Sequence, residues 1–409
     1  MSLPSRSFLS GRSRRSGVGR RTTAVLGAVA ACVLAVSSPA TAAVTWVQVP
    51  TPDVAGSDFN QLLANTVVSP TEAWAVGSWR RADPNAINFQ PIAERWTAGQ
   101  GWRLVPTAPL AASADARFGG VAAVSANDVW AAGSSGLSLA AMHGFFEHWN
   151  GTAWQIVARP AAEPAGSRLT AIAKVGANDL WAVGETQSPD TLGHAPLAEH
   201  WNGSAWTVVP IPDLGQGARL FGVGGASAGD VWAVGDLFET ESALVLHWNG
   251  TTWSRVPLTT ATPIGESRLR AVTAVSGNDV WAVGQQRSGT RTLAAHWDGT
   301  AFTVANSPNV PSRTHSFFTA VTALASNDVW AVGSSLMNAA FSGALTEHWD
   351  GTAWTIVPNP GGSLDPTVTE TDLLGVGGRP GGPLFTVGDR RPSADGYHYH
   401  TFAMQGQSG

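Results

Sequence analysis

The string Trp-Ala-Val-Gly, or a near copy, begins at Trp74, Trp130, Trp181, Trp232, Trp281 and Trp330, and a degenerate seventh copy, Phe385-Thr-Val-Gly388, closes the series. Successive copies lie 56, 51, 51, 49, 49 and 55 residues apart. A strand-like motif returning at that period excludes a single wound core. It points to repeated supersecondary units stacked side by side, each too small to bury its own apolar face.

Residues 168–210 serve as the type repeat and divide into four strands. Arg168 to Val175 is rich in small and β-branched residues, and Gly-Ala-Asn-Asp then makes a turn into a second strand, Leu180 to Glu185. After a longer loop, Pro196 to Trp201 forms a third strand, Asn202-Gly203 a tight hairpin of the positive-φ kind, and Ala205 to Val209 a fourth. Four antiparallel strands on short turns make one propeller blade.

The tryptophans test this division, because 18 of the 19 fall into three aligned columns and only Trp79 lies outside. The second strand holds the six named above, and the third holds Trp96, Trp149, Trp201, Trp248, Trp297 and Trp349. The fourth holds Trp46, Trp102, Trp154, Trp206, Trp253 and Trp354, with Phe302 replacing Trp in the fifth repeat. Rings at matched heights fill the wedges between blades. On the innermost strand, where wedges narrow, the column ten residues before the motif reads Ala64, Gly120, Ala171, Gly222, Ala271, Ala320 and Gly375.

The chain ends complement each other. The last repeat has strands near Asp372, Phe385 and Phe402–Met404 but no fourth, whereas Val44 to Pro52 matches the fourth strand at Ala353 to Pro360. The expected fold is therefore all-β: a seven-bladed β-propeller of four-stranded antiparallel blades, the seventh closed by the N-terminal strand, which removes the open sheet edges of an unclosed array. The expected boundaries are 59–110, 116–160, 168–212, 219–258, 268–308 and 317–360 for blades 1 to 6, with blade 7 built from 370–409 plus 43–53.

Residues 1–42 read as a signal peptide preceding a single propeller domain, 43–409. Six arginines and no acid precede a short apolar run from Thr22 to Val36, and Ala40-Thr41-Ala42 offers a small-x-small cleavage site. Secretion follows as the expected localisation. Val29-Ala30-Ala31-Cys32 gives the alternative of a lipid anchor at Cys32, and two Arg-Arg pairs leave Sec and twin-arginine export both open. Removal of the leader takes 24 basic against 29 acidic residues to 18 against 29 and discards the only cysteine. An acidic protein near −11 disfavours nucleic acid and anionic membranes as partners. A monomer without membrane insertion is expected, held by packing and ring closure.

Two polar columns change together. Asp128, Asp179, Asp230, Asp279 and Asp328 precede the motif Trp, and His148, His200, His247, His296 and His348 precede the third-strand Trp. The first repeat has Glu72 with Arg95, and the seventh has Pro383 with Ala403, a pattern of pairing within each blade rather than of metal ligation. Asn150-Gly, Asn202-Gly and Asn249-Gly start glycosylation sequons, yet Asp298-Gly and Asp350-Gly fill the same place, so turn chemistry explains them.

Loop length separates the two propeller faces. The second-to-third-strand loops, around 78–91, 134–144, 185–195, 236–243, 285–291, 334–344 and 389–398, all lie on one face, where binding on a rigid scaffold is expected. At that mouth one column reads Gln61, Arg117, Arg168, Arg219, Arg268, Phe317 and Asp372, beside Ser78, Ser134, Glu185, Asp236, Gln285, Ser334 and Asp389. Arg168 with Glu185 and Arg219 with Asp236 are expected cross-strand pairs; Arg117 and Arg268 face no such acid and are expected to be free for a ligand's carboxylate, phosphate, sulfate or sugar hydroxyl. The expected ligand-binding set is Arg117, Arg168, Arg219, Arg268, Glu185, Asp236, Asp372 and Asp389. His194, His315, Trp79 and Tyr397-His398-Tyr399-His400 share the face, the last read as edge-strand packing ahead of a sugar platform or metal turn.

The Trp-Ala-Val-Gly strand followed by a Trp-Asp/Asn-Gly-Thr-x-Trp hairpin resembles BNR or Asp-box propeller repeats, including photosystem II assembly-factor-type proteins and exported actinobacterial proteins of this repeat type. Trp297-Asp298 and Trp349-Asp350 also resemble WD repeats, without their Gly-His element. The resemblance implies the fold across nearly all of the chain after residue 42, while propellers of related type include sialidases, lectins, lyases and oxidases. A sialidase needs an arginine triad, a tyrosine nucleophile and an acid, and here Tyr397 and Tyr399 are the only tyrosines. The oxidase type needs a cysteine bonded to tyrosine. No catalytic residue, metal or cofactor is expected. The expected function is a binding or scaffold propeller recognising a protein or glycan on its long-loop face; the alternative is a glycan-acting hydrolase or lyase using acids such as Glu185, Asp236, Glu239 and Glu241.

Overall fold

The computed structural model describes residues 44–408 apart from 84–87, 111–114, 161–163, 165, 189–192, 261–263, 287–289, 339–340 and 363–366. Residues 1–42, expected to be a signal peptide, and with them Cys32, lie outside the described residues. Seven four-stranded antiparallel blades follow one another along the chain, six of them running from the axis outward strand by strand, and blade 5 departs from the expected four strands by gaining a short fifth, Leu258–Thr259, parallel to Phe302–Ala305 at its outer edge. In the type repeat the order is Arg168–Gly176, Asp179–Thr186, Ala195–Trp201 and Trp206–Val208. The seventh blade takes its outer strand from the other end of the chain: Val44–Val49 pairs antiparallel with His400–Ser408, from Val44 opposite Ser408 to Val49 opposite Ala403.

Aromatic rings knit each blade to the next. The motif ring of every blade meets the outer-strand ring of the following blade in a T-shaped contact, at 5.2 Å for Trp74–Trp154, Trp181–Trp253, Trp232–Phe302 and Trp281–Trp354. Trp130–Trp206 does so at 5.9 Å, and Trp330–Trp46 and Phe385–Trp102 at 5.3 Å close the ring. This geometry sets the positive edge of one ring against the negative face of another, worth about 0.5–1.5 kcal/mol per pair beyond burial.

The motif glycine has a steric cause. The inner strand of each blade skips one residue in its pairing at the same place, residues 63, 119, 170, 221, 270, 319 and 374. This bulge presses the preceding backbone against the second strand. A Cβ on Gly184 would overlap the carbonyl oxygen of Arg168, and one on Gly235 that of Arg219. The same overlap recurs at Gly77, Gly133, Gly284, Gly333 and Gly388 against residues 61, 117, 268, 317 and 372. The invariant part of the repeat therefore seats the variable arginine column.

The polar columns pair within blades, as their covariation implies. His148, His200, His247 and His296 place Nε2 2.8 Å from the matching Asp Oδ1, and His348 does so at 2.9 Å. Each imidazole stacks on its motif Trp, and Arg95 replaces it in blade 1, 2.9 Å from Glu72. In blade 7 the register corrects the expected alignment: Phe385 faces Gln405, not Ala403.

The hairpins also differ from expectation in detail. Trp201 pairs with Trp206 across four residues, and Gly203 has φ 93° while Asn202 does not share a positive φ, so this is not the two-residue turn that needs both. Asn202 Oδ1 instead accepts from Ser204 N, Ser204 Oγ and Ala205 N. Asp298 and Asp350 accept the corresponding bonds, which hold both carboxyls down at about 2. An oxygen acceptor is what the position needs, and Asn and Asp both supply it.

Candidate functional site

The two columns named at the channel mouth are direct cross-strand partners. Arg168 opposes Glu185, Arg219 opposes Asp236, Arg268 opposes Gln285, Arg117 opposes Ser134 and Asp372 opposes Asp389. Arg219 binds Asp236 in the forked geometry, Nε to Oδ1 at 3.1 Å and Nη2 to Oδ2 at 2.7 Å. Arg168 lies 3.5 Å from Glu185 and keeps half of its side chain in solvent.

Two arginines expected to be free are not. Arg268 Nε donates to Asp236 Oδ2 at 2.6 Å, so that one buried carboxylate clamps two guanidinium groups across the boundary of blades 4 and 5. Arg117 Nη2 lies 3.6 Å from Asp115 Oδ2, and its guanidinium sits 3.7 Å from the centroid of Phe89. Its own-blade partner is the uncharged Ser134, but the strand start and the neighbouring blade supply an acid and a ring. Arg117 remains about half exposed, like Arg168.

Glu185 accepts a second contact from His194 Nδ1 at 2.6 Å, and that imidazole stacks on Phe238 of the next blade at 4.7 Å. Asp372 and Asp389 form an enclosed pair on blade 7. Burial and the adjacent Asp372 carboxylate push Asp389 up to about 8, and Gln61 Nε2 donates to it at 2.7 Å. At 1% exposure its carboxyl faces Gln61 rather than the open mouth. In the aromatic cluster, Tyr399 donates to Glu370 at 2.7 Å and packs on Phe59 at 5.0 Å, while His400 meets Asp53 at 2.6 Å. These contacts bear out edge packing for both. Tyr397 stays 81% exposed.

Two cavities open here. One of about 280 Å3 is lined by Arg219, Asp236, Phe238, Glu241, Glu266 and Arg268. The other, of about 560 Å3, is lined by Arg117, Arg168, Gln61 and all seven bulge residues, which identifies it as the central channel. Among the described residues no group of three or more His, Cys, Asp or Glu side chains could hold a metal ion.

Sequence reasoning missed two sets of residues. Arg270, a bulge residue, lines the channel, where burial and the charge of Arg268 lower its guanidinium to about 10. The others are the third-strand glutamates Glu94, Glu147, Glu199 and Glu347, all fully buried. Glu147 accepts from Ala108 N at 2.9 Å, Glu199 binds Arg159, and Glu347 accepts from Ser307 Oγ at 2.8 Å. Glu147, Glu199 and Glu347 each fasten the segment arriving from the preceding blade. Burial raises Glu147 to about 7 and Glu347 to about 8. The signal was present in the recurring Glu-His-Trp and Glu-Arg-Trp, where strand alternation puts Glu on the face of the packed Trp.

No protein-family model matches the chain, and no curated protein does. Among solved structures, YCF48 from Cyanidioschyzon merolae is similar over 88% of this chain and 98% of its own, at 13% identity and a TM-score of 0.54. A second structure, YCF48 bound to D1 peptide, covers 90% and 95% at 14% identity and a TM-score of 0.49. A protein of unknown function from Dyadobacter fermentans covers 91% and 100% at 13% identity and a TM-score of 0.47. At such identities the likeness speaks to architecture: the chain is a seven-bladed β-propeller with the same fold as the Cyanidioschyzon merolae protein.

Proposed function

We propose that the chain is an exported, non-enzymatic binding propeller that recognises a protein through its long-loop face. The observation that carries this reading is the mixed character of that face: Tyr397, Leu137 and Phe341 are exposed at 81%, 68% and 36%, on the same side as the half-exposed Arg117 and Arg168. Exposed aromatics with arginine are the composition of protein interface cores. The scaffold supports it, because a closed ring of paired strands presents the loop ends from fixed positions. Export rests on the basic, then apolar, leader and its small-x-small site. The repeats are read as BNR/Asp-box-like on the pairing of the Trp-Ala-Val-Gly strand with the Trp-Asp/Asn-Gly-Thr-x-Trp hairpin, and the protein as a monomer that binds no nucleic acid and does not insert into a membrane.

A glycan is the second reading, favoured by Tyr397 with Arg391 5.6 Å from its ring centroid. Panning a displayed peptide library and a glycan array against the propeller separates the two. Peptide binders are expected, weakened about tenfold or more by Arg117→Ala with Arg168→Ala, and by Tyr397→Ala. Glycan binders alone, or peptide binders indifferent to these changes, would overturn the protein reading.

A further inference from the structure

The bulge residues ring the central cavity, and Arg270 is the only charged member. The ring's two hydroxyls are committed: Thr170 Oγ1 donates to Leu220 O at 2.7 Å and Thr319 Oγ1 to Leu373 O at 2.6 Å, each a bond to the next blade. Leu63, Phe221 and Leu374 make apolar wall. Arg270 therefore supplies both the charge and the uncommitted donors of the ring.

Among the described residues that cation has no counterion of its own: its hydrogen bonds go to one neutral acceptor, with Nε and Nη2 3.3 and 3.2 Å from Gln285 Oε1. Asp236 attracts it from a distance but is already clamped by Arg219 and Arg268, and both of those arginines repel it. A partly buried guanidinium whose contacts are one amide oxygen and, 6.0 Å away, the centroid of the Phe317 ring has no opposite charge to balance it, and an entering anion supplies one. A carboxylate matches the planar fork, unlike a point charge, and the cavity's size falls within the roughly 300–1,000 Å3 typical of small-molecule sites.

We propose that the central channel binds a small organic carboxylate, its acid group on the Arg270 guanidinium and its apolar body against the Phe221 and leucine part of the ring. The site goes beyond protein recognition on the loops: it lies inside the ring and is probed with no protein present, so either reading can fail alone.

Calorimetric titration at low ionic strength tests it, with benzoate, its neutral counterpart benzamide, and inorganic phosphate as probes of the wild-type propeller, Arg270→Gln and Arg270→Lys. Benzoate is expected to saturate one site on the wild type, about tenfold or more tighter than benzamide or phosphate. Arg270→Gln should weaken it about tenfold or more, with Arg270→Lys in between because charge survives without the fork. Unliganded Arg270→Gln should melt no lower than wild type, whereas a structural arginine would lower the melting temperature. Absence of benzoate binding to the wild type, equal affinity for benzamide, preference for phosphate, or undiminished binding by Arg270→Gln would each overturn the proposal.

Discussion

Trp46, on the strand that begins the described chain, meets Trp330 of blade 6 in a T-shaped contact with centroids 5.3 Å apart. The same geometry joins every other pair of neighbouring blades, so the seam where the chain ends meet is packed like any other boundary. Trp46 is 3% exposed. Trp46→Ala is expected to destabilise the propeller by about 3–5 kcal/mol in urea unfolding, as for other buried aromatics. Trp79→Ala, outside the three columns, should cost clearly less. Equal losses would mean that the seam is not a structural boundary.

The overlap between the motif glycine and the arginine carbonyl gives a sharper steric expectation. Gly235→Ala should lower the melting temperature strongly, because the obstructing atom is backbone oxygen of Arg219 and cannot rotate away. Gly229→Ala is the control: its nearest neighbour is Gly250 Cα at 3.9 Å, so little change is expected. A mild Gly235→Ala would show that the bulge is not what demands glycine.

Buried Glu347 produces an inverted pH dependence. Its folded value, about 8, lies above the ordinary 4.5, so the folded state holds a proton that the unfolded state releases. Its contribution is fully present below about pH 4.5 and is lost as pH rises through about 8. Glu347→Gln should therefore melt close to wild type at low pH and above it in alkaline buffer. Melting curves of both proteins across that window provide the check, and a constant difference would contradict it.

Asp298 works in the opposite direction. Hydrogen bonds from Thr300 and Ala301 depress it to about 2 against an ordinary 3.8, so the stability it lends is present above 3.8 and lost as pH falls through about 2. Asp298→Asn should preserve stability and remove this acid sensitivity, since Asn150 and Asn202 make the same turn elsewhere. Asp298→Ala should melt lower throughout. Equal melting of the two variants would remove the oxygen acceptor as the reason for the residue.

Most of the architecture was legible because it repeats. The Trp columns, the missing fourth strand and the covarying Asp and His are set by contacts within a strand pair or by rings recurring at one height, and repetition exposes them. The candidate site was half legible. Arg219 and Asp236 lie on adjacent strands of one blade, so strand alternation alone brings them together. Arg268 reaches Asp236 from the next blade, and Arg117 finds Phe89 across another boundary, contacts that no within-blade alignment contains.

The sequence by itself determined the number of blades, the four-stranded plan they share and the closure by an N-terminal strand within 43–53, because these follow from local pairing and from apolar patterns that each blade must bury. Only the tertiary structure decided which cations are satisfied and which side chains face the axis. The bulge that turns Arg270 into the channel arises from inner strands crowding around a closed ring, and the partner of Arg268 is fixed by how blade 5 leans on blade 4. Those are relations between blades, and a period along the chain records only what each blade has in common.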